Sequence, residues 1–242
     1  MYKKAFEIIR SAKHLSAFTG AGISVESGIP AFNGKNGLWE RYDPSFIDIS
    51  FFIENPVESW QLLQEVLYFY FNEAVPNTAH YVLSEMEVND CLGSVITQNI
   101  DNLHHEAGNK NIYEFHGTSQ YLVCLNCSER YLTCEVDLFV LPPYCAECGG
   151  ILKPDFVFFG ENIPEPVNSW SFQEAESSDV FILIGTAGEI KPASNIPYIA
   201  KKNGAKIIEV NIERTIFTDS ITDVFIKGRA TEVMEELAEF LF

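Results

Sequence analysis

Short apolar segments that alternate with helix-like segments constrain the fold of this 242-residue chain more than any other feature. The apolar segments are typical of buried strands, and they occupy residues 15–19, 94–97, 112–115, 180–184 and 206–210. Helical spacing of apolar residues indicates helices at about 2–13, 56–72, 78–88, 165–177, 193–203 and 231–242. Strands that alternate with helices predict an α/β fold whose parallel sheet is covered on both faces.

Small and polar residues directly follow the predicted strands. They are Gly20-Ala21-Gly22-Ile23-Ser24, Gln98-Asn99-Ile100-Asp101, His116-Gly117, Gly185-Thr186-Ala187-Gly188 and Asn211. Ligands of open α/β sheets bind beyond the carboxyl ends of the strands, so we expect a shared crevice there. The alternative is a set of ordinary polar loops with a surface histidine.

The first of these turns resembles a phosphate-binding turn only in part. Glycines at 20 and 22 allow a tight bend and a close approach of backbone amides to a phosphate. However, Val25 occupies the third glycine position of the dinucleotide pattern G-x-G-x-x-G. The loop that follows, residues 27–34, contains Phe32. This ring would either shield a reactive centre from water or pack against its neighbours.

Two C-x-x-C pairs form the most specific local pattern. They are Cys124-x-x-Cys127 and Cys145-x-x-Cys148. Their spacing predicts a closed, tetrahedral and structural zinc site with four thiolate ligands, and iron in a rubredoxin-like site is the alternative. We interpret Cys91 as a small core residue and Cys134 as a bystander. Adjacent His104 and His105 do not share a helical face, so we interpret both as structural or surface residues.

The charge balance narrows the range of partners. The 34 acidic and 16 basic residues give a formal net charge of −18. Such a field repels a nucleic-acid backbone and attracts a basic protein segment, although solubility alone would also explain it.

No apolar run approaches the roughly 20 residues that span a bilayer. The N-terminal residues 1–14 resemble an amphipathic helix rather than a signal peptide. Six cysteines then favour metal ligation over disulfides, and we expect a cytoplasmic protein with neither nucleic-acid nor membrane partners.

Eight segments, in order, resemble the sirtuin (Sir2) family of NAD-dependent protein deacylases, and most closely its short prokaryotic members. They are GAGIS at 20–24, SGIPAF at 27–32, TQNIDNLH at 97–104, EFHG at 114–117, the four-cysteine segment, KPDFVFFGE at 153–161, GTA at 185–187 and EVN at 209–211. The resemblance implies a single catalytic domain over 1–242 with a doubly wound, Rossmann-like NAD-binding part. That part covers about 1–30, 76–120 and 153–242, with a zinc module at about 121–152 and a helical insert at about 31–75.

The resemblance also implies the reaction and the residues that carry it. A sirtuin removes an acyl group from lysine and transfers it to the ribose of NAD, with release of nicotinamide. The implied catalytic residues are His116, Asn99 and Asp101, and a histidine is a natural general base near neutral pH. The residues implied to bind NAD are Gly20, Ala21, Gly22, Ser24, Phe32, Gln98, Asn99, Ile100, Asp101, Gly185, Thr186, Ala187 and Asn211. Within this set, Asp101 and the Ile100 amide would hold the nicotinamide carboxamide.

The implied partners are acyl-lysine proteins, bound in the cleft between the two parts as an extra strand. The residues implied to contact this substrate are Val157, Phe158, Phe159, Gly160, Glu161, Gly188 and Glu189. One structural Zn²⁺ per chain and a monomeric protein complete this expectation.

Two positions depart from the family pattern. Asn33 stands where an arginine is usual, and Ala187 replaces a serine. A hydrogen bond to a charged group contributes about 1.5–3 kcal/mol, so weaker NAD binding or altered acyl transfer would follow. These departures leave open a sirtuin-like protein mono-ADP-ribosyltransferase and a weakly active NAD-binding regulatory module. The retained Asn99, Asp101 and His116 argue against the latter.

The helix at 56–72 bears on acyl preference. Sirtuins that remove succinyl or malonyl groups carry a Tyr-x-x-Arg pair there, and the equivalent positions lie near Leu63 and Val66. No arginine occurs between Arg41 and Arg130. The expected pocket wall is apolar: Leu62, Leu63, Val66, Leu67 and Phe69. We therefore expect acetyl and longer aliphatic acyl groups to be accepted, and succinyl to be rejected because its carboxylate would be buried without a charged partner.

Overall fold

A six-stranded parallel sheet forms the centre of the protein in a computed structural model that describes residues 1–32 and 37–242. Its strands are β1 Leu15–Thr19, β2 Ser94–Thr97, β3 Ile112–Glu114, β7 Val180–Ile184, β8 Lys206–Asn211 and β9 Val224–Lys227. They lie in the order β3-β2-β1-β7-β8-β9, and every neighbouring pair is parallel. The order reverses between β1 and β7, so the sheet is doubly wound and the α/β prediction is confirmed.

Helices cover both faces of this sheet. They are α1 Tyr2–Ser11, α5 Thr78–Val88, α6 Leu103–Ala107, α7 Val167–Ser177, α8 Asn195–Lys202 and α9 Ala230–Leu241. One core joins α1, α5 and α9 to residues such as Ala17, Val95 and Ile182. A second core joins α7 and α8 to their strand neighbours Phe18 and Phe181. Because side chains alternate along a strand, adjacent residues of β1 and β7 supply the two cores.

A second, antiparallel sheet carries the four cysteines near one end. It consists of β4 Gly117–Cys124, β5 Arg130–Leu132 and β6 Leu152–Phe156, in the order β5-β4-β6. A third hydrophobic core packs it against the helical segment that contains Phe46 and Trp60. The Trp60 indole Nε1 also donates to the Leu152 carbonyl at 2.9 Å. The small sheet and the helical segment therefore share one core.

The helix expected at 56–72 is divided in three. Helix α2, Ile49–Glu54, precedes it; then come α3 Pro56–Leu63, a π-helical turn Gln64–Tyr68 and α4 Phe69–Glu73. The wider turn buries three successive side chains, Val66, Leu67 and Tyr68, which a regular α-helix would spread around its circumference. The single-helix prediction missed this irregularity because it rested on overall apolar content.

None of the helices within residues 1–32 and 37–242 has both the length and the apolar character needed to cross a membrane.

Candidate active site

The carboxyl ends of β1 and β7 meet where the strand order reverses, and two glycine turns pack against each other there. The Gly20 amide donates to the Ile184 carbonyl at 3.0 Å, and the Gly22 amide donates to the Gly185 carbonyl at 2.9 Å. A Cβ on Gly22 would lie 2.6 Å from the Gly185 Cα, so a larger residue cannot replace it without moving the backbone. These two amides, which the sequence suggested as phosphate donors, are thus used within the fold.

A buried polar cluster lies beside these turns. Ser24 Oγ donates to Asp101 Oδ2 at 2.6 Å, and the Leu103 amide donates to Asp101 Oδ1 at 3.1 Å. Asn99 Nδ2 lies 3.2 Å from both Ser24 Oγ and the Gly20 carbonyl. Burial raises the pKa of the Asp101 carboxyl group, and the Ser24 and Leu103 hydrogen bonds oppose that shift. Three predicted residues from two loops thus form one connected site.

The side chains of Gln98, Thr186 and Asn211 link the ends of β2, β7 and β8. Gln98 Nε2 donates to Thr186 Oγ1 at 2.9 Å, and Asn211 Nδ2 donates to the Thr186 carbonyl at 3.1 Å. The Gly188 amide also donates to Thr186 Oγ1, at 3.4 Å. In the hydrogen bonds of the described residues this hydroxyl oxygen acts only as an acceptor, so its own proton remains available to a ligand. Ala187 is exposed beside it.

His116 follows β3 and is oriented by the Gln98 backbone. Its Nδ1 lies 3.0 Å from the Gln98 carbonyl oxygen. Because a carbonyl oxygen only accepts, Nδ1 carries the proton and Nε2 has a free lone pair in the neutral ring. Burial lowers the pKa of His116, and the hydrogen bond to Gln98 partly offsets this. The imidazole is therefore neutral and basic at Nε2 near neutral pH.

The segment from Val157 to Glu161 leaves β6 along the edge of the site. The Val157 amide donates to the His116 carbonyl at 2.8 Å. The Phe159 amide donates to the Ile47 carbonyl at 2.8 Å, and the Phe159 carbonyl accepts from the Ile49 amide at 3.0 Å. The backbone of Phe159 is thus already paired, although its ring is 42% exposed.

A buried ion pair fixes the turn in this segment. Lys153 Nζ lies 3.0 Å from Glu161 Oε2 and donates to the carbonyls of Pro154 and Phe156 at 2.9 and 2.7 Å. The same Glu161 oxygen accepts the Phe158 amide at 2.7 Å. The Phe158 side chain is 1% exposed, so it supports the segment from the core. Gly188 is buried, and Gly160 and Glu189 are exposed.

The four predicted cysteine ligands converge. Their sulfur atoms all lie within 4.8 Å of one another, with separations of 3.4 Å for Cys124–Cys148 and Cys127–Cys148 and 3.6 Å for Cys127–Cys145. Four thiolates around a tetrahedral zinc ion, with Zn–S bonds of about 2.3 Å, would stand about 3.8 Å apart. None of the six cysteines, all of which are described, forms a disulfide. Four such sulfurs fit a structural zinc site.

The sequence did not predict a chain of buried hydrogen bonds that lies behind the site. Thr19 Oγ1 lies 2.9 Å from His104 Nε2 and donates to Thr97 Oγ1 at 2.8 Å, and Thr97 Oγ1 accepts the Asn99 amide at 3.0 Å. His104 is 2% exposed, so it is structural rather than a surface residue, and burial places its pKa well below the ordinary value. The sequence did contain one signal of this chain: each of two buried strands ends in a threonine, Thr19 in β1 and Thr97 in β2.

Two expectations about the apolar side of the site have different outcomes. Leu63, Val66 and Leu67 are buried in the hydrophobic core that also contains Ile100, one of the two residues expected to hold the carboxamide. Phe69 is 63% exposed, and its assignment to the pocket wall is wrong because the π-helical turn rotates it outward.

Phe32 stacks on Trp39 with ring centroids 5.1 Å apart. Asn33 lies outside the described residues.

Comparison with known proteins agrees with this architecture. The family model described as Sir2 family matches residues 20–192. NAD-dependent protein deacetylase 1 of Pyrobaculum aerophilum is 45% identical over 227 residues, covering 93% of this chain and 89% of that protein. NAD-dependent protein deacylase 2 of Archaeoglobus fulgidus is 44% identical over 242 residues, covering 98% of this chain and 94% of that protein.

Solved structures show the same similarity. A mutant Sir2 homologue in complex with ADP-ribose superimposes with a TM-score of 0.95 at 38% identity, covering 100% of this chain and 96% of that one. A Sir2 complex with a p53 peptide and NAD⁺ gives a TM-score of 0.92 at 31% identity, covering 99% and 98%.

The doubly wound sheet with a polar site at its reversal point, joined to a four-cysteine module, defines a nucleotide-binding α/β protein with a structural metal site. The matches covering both parts of this architecture then specify the family. The chain belongs to the Sir2 family.

Proposed function

We propose that this Sir2-family protein is an NAD-dependent protein-lysine deacylase that transfers the acyl group to ADP-ribose and releases nicotinamide. The arrangement of His116 carries this proposal, because its Nδ1 is tied to the Gln98 carbonyl at the reversal point of the sheet. Its free Nε2 lone pair and lowered pKa are those of a general base that works near neutral pH. The relatives named as deacetylase and deacylase support the same activity.

The chemistry of the polar cluster fits NAD, which is the cosubstrate of this family. Asp101 accepts hydrogen bonds, and Ile100 precedes it with a backbone amide, so together they complement a carboxamide. Asn99, Ser24 and Gln98 offer neutral groups for ribose hydroxyls and for the attacking acyl oxygen. NAD, when bound, supplies the ribose that accepts the acyl group.

The remaining contacts complete the proposed NAD site. The free Thr186 proton suits an oxygen of the pyrophosphate, and Asn211 suits the adenosine ribose. The glycine turns at Gly20, Gly22 and Gly185 bring the backbone, including Ala21, close to these groups without obstructing them. We assign to Phe32 the exclusion of water from the ribose carbon once nicotinamide has left.

We propose that the acyl-lysine segment lies along the exposed edge of residues 157–161 and faces the turn at Gly188 and Glu189. The paired backbone of Phe159 leaves its exposed ring as its contact with the substrate. The solved Sir2 complex with a p53 peptide supports a peptide substrate. The formal net charge of −18 favours acyl-lysine in basic protein segments.

We further propose the division of the chain expected from the sequence, with the NAD-binding part at about 1–30, 76–120 and 153–242. The small module at about 121–152 binds zinc away from the chemistry, and residues 31–75 form the helical insert. We also propose a cytoplasmic monomer without nucleic-acid partners, supported by its acidic character and by its six cysteines, all described and none in a disulfide. Gel filtration with light scattering tests the oligomeric state.

One assay tests the function directly. The purified protein is incubated with NAD and an acetyl-lysine peptide, and the products are identified by mass spectrometry. We expect free lysine peptide, nicotinamide and O-acetyl-ADP-ribose in equal amounts. ADP-ribose attached to protein without loss of acetyl would instead indicate an ADP-ribosyltransferase, and absence of turnover would refute both activities.

A further inference from the structure

Ser119 is a buried serine in β4 whose hydroxyl, amide and carbonyl groups each form a hydrogen bond to another part of the fold. It is 2% exposed. Its Oγ donates to the Ile100 carbonyl at 2.6 Å, and its backbone amide donates to the same oxygen at 3.1 Å. Two donors from one residue on one carbonyl oxygen leave that peptide group little freedom to rotate.

The affected peptide group leads directly into Asp101. The Ile100 carbonyl belongs to the peptide unit that joins Ile100 to Asp101, so its orientation sets the direction from which the Asp101 carboxylate leaves the backbone. Asp101 has two further restraints, from Ser24 Oγ and the Leu103 amide, and both act on the carboxylate itself. Ser119 is the restraint on the backbone.

Ser119 is itself anchored from the opposite side. Its carbonyl accepts the Thr133 hydroxyl at 2.8 Å and the Tyr68 hydroxyl at 3.4 Å. Thr133 lies between the two cysteine pairs, and Tyr68 ends the π-helical turn. The anchor therefore comes from the zinc module and the helical insert, and it ends at the Ile100 carbonyl.

We propose that Ser119 is a positioning residue that holds Ile100 and Asp101 in the geometry that binds the nicotinamide carboxamide. This inference rests on the proposed function, in which these two residues contact that group. Ser119 does not touch the reacting atoms, so its removal affects binding of the nicotinamide end of NAD more than binding of the acyl peptide.

The test compares Ser119→Ala with Ser59→Ala. Ser59 is also a fully buried serine, and its hydroxyl has no hydrogen-bond partner among the described residues, which makes it a matched control. Binding of nicotinamide and of NAD is measured by calorimetry, which does not depend on turnover. The KM values for NAD and acetyl-peptide and the melting temperature are measured on the same preparations.

For Ser119→Ala we expect the dissociation constant of nicotinamide and the KM for NAD to rise about threefold to tenfold, the factor for one lost neutral hydrogen bond. The KM for peptide should stay within about twofold, as should all these constants in Ser59→Ala. Thr133→Val removes the anchoring hydroxyl and leaves Ser119 in place, and we expect the same direction with a smaller factor.

Unchanged nicotinamide binding in both Ser119→Ala and Thr133→Val would overturn the positioning role, and so would an equal rise of the KM values for NAD and peptide. If Ser119→Ala does not fold, Thr133→Val decides alone. A wild-type protein that binds nicotinamide but does not deacylate the peptide would contradict the proposed function and leave the binding comparison intact.

Discussion

The ion pair of Lys153 and Glu161 gives the sharpest test of how the proposed substrate edge, residues 157–161, is built. The side chain of Lys153 is 5% exposed and that of Glu161 is 27% exposed. Substituting Lys153→Met keeps a long side chain of similar volume and removes the ammonium group. Glu161 is then left without its cationic partner, and the carbonyls of Pro154 and Phe156 each lose a donor.

The expected loss of stability in Lys153→Met follows from the interactions that Glu161 keeps. Breaking a buried ion pair by removing one partner costs about 3–5 kcal/mol. Glu161 keeps the Phe158 amide at 2.7 Å and some contact with water, so we expect the lower end, about 3 kcal/mol. For a chain of this size that corresponds to a fall in melting temperature of roughly 6–12 °C. Burial also lowers the pKa of Lys153, and the neighbouring Glu161 carboxylate opposes this shift.

Urea and thermal unfolding of the wild type, Lys153→Met and the double variant Lys153→Met/Glu161→Gln measure this cost. Removing the second charge removes the unpaired carboxylate, so we expect the double variant to regain at least half of the lost stability. Lys153→Arg keeps the charge and serves as a control of intermediate stability. A loss below about 1 kcal/mol in Lys153→Met, or costs that simply add in the double variant, would refute the ion-pair explanation.

Three further predictions concern the base, the metal and the acyl group. His116→Ala should lower deacylation about 10²–10⁴-fold while NAD binding measured by calorimetry persists. Because burial lowers the pKa of His116 from its ordinary value, wild-type kcat/KM should stay high near neutral pH and fall only in more acidic buffer. A near-wild-type rate in the variant contradicts the assignment. Cys145→Ser should lose the stoichiometric zinc found by elemental analysis of the wild type, together with much of its stability, and a metal-free wild type would disprove the site. The acyl preference is measured as kcat/KM on one peptide sequence whose lysine carries an acetyl, octanoyl or succinyl group. We expect a high value for acetyl and a negligible value for succinyl, since Leu63 and Val66 are buried among apolar residues. A succinyl value that matches the acetyl value would exclude an apolar pocket.

Five strands of the parallel sheet and most of its helices could be predicted because each carries its signal locally, whereas β9 and the three strands of the antiparallel sheet were not predicted. β1, β2 and β7 are buried along their whole length and rich in apolar residues, and helix 78–88 begins at a capping asparagine, Asn77, whose side chain accepts the Ala79 amide at 3.0 Å. Which strands adjoin cannot be read from such signals. The adjacency of β1 and β7 depends on connections of more than a hundred residues, and it decides where the site lies.

The candidate site was predictable as a set of residues and not as a network. Asp101, Asn99 and His116 follow predicted strands, so their shared edge could be inferred. The orientation of His116 depends on the backbone of Gln98, and the Ile100 carbonyl, which belongs to the peptide unit before Asp101, accepts from Ser119 in the next sheet. The outward rotation of Phe69 depends on a π-helical turn. These features arise from tertiary contacts, and no local pattern encodes them.

We propose that the glycine turns and Thr186 together compensate for Ala187 in the binding of NAD. The amides of Gly20 and Gly22 close the two turns against β7, so they give the site its shape rather than its donors. Thr186 Oγ1 accepts from Gln98 Nε2 and from the Gly188 amide, and its own proton stays available to a ligand. A hydroxyl at position 187 would be exposed to water and would gain less from binding a ligand than the buried, preorganised Thr186 does. Replacing serine by alanine there therefore removes a weaker donor and leaves the better-oriented one in place.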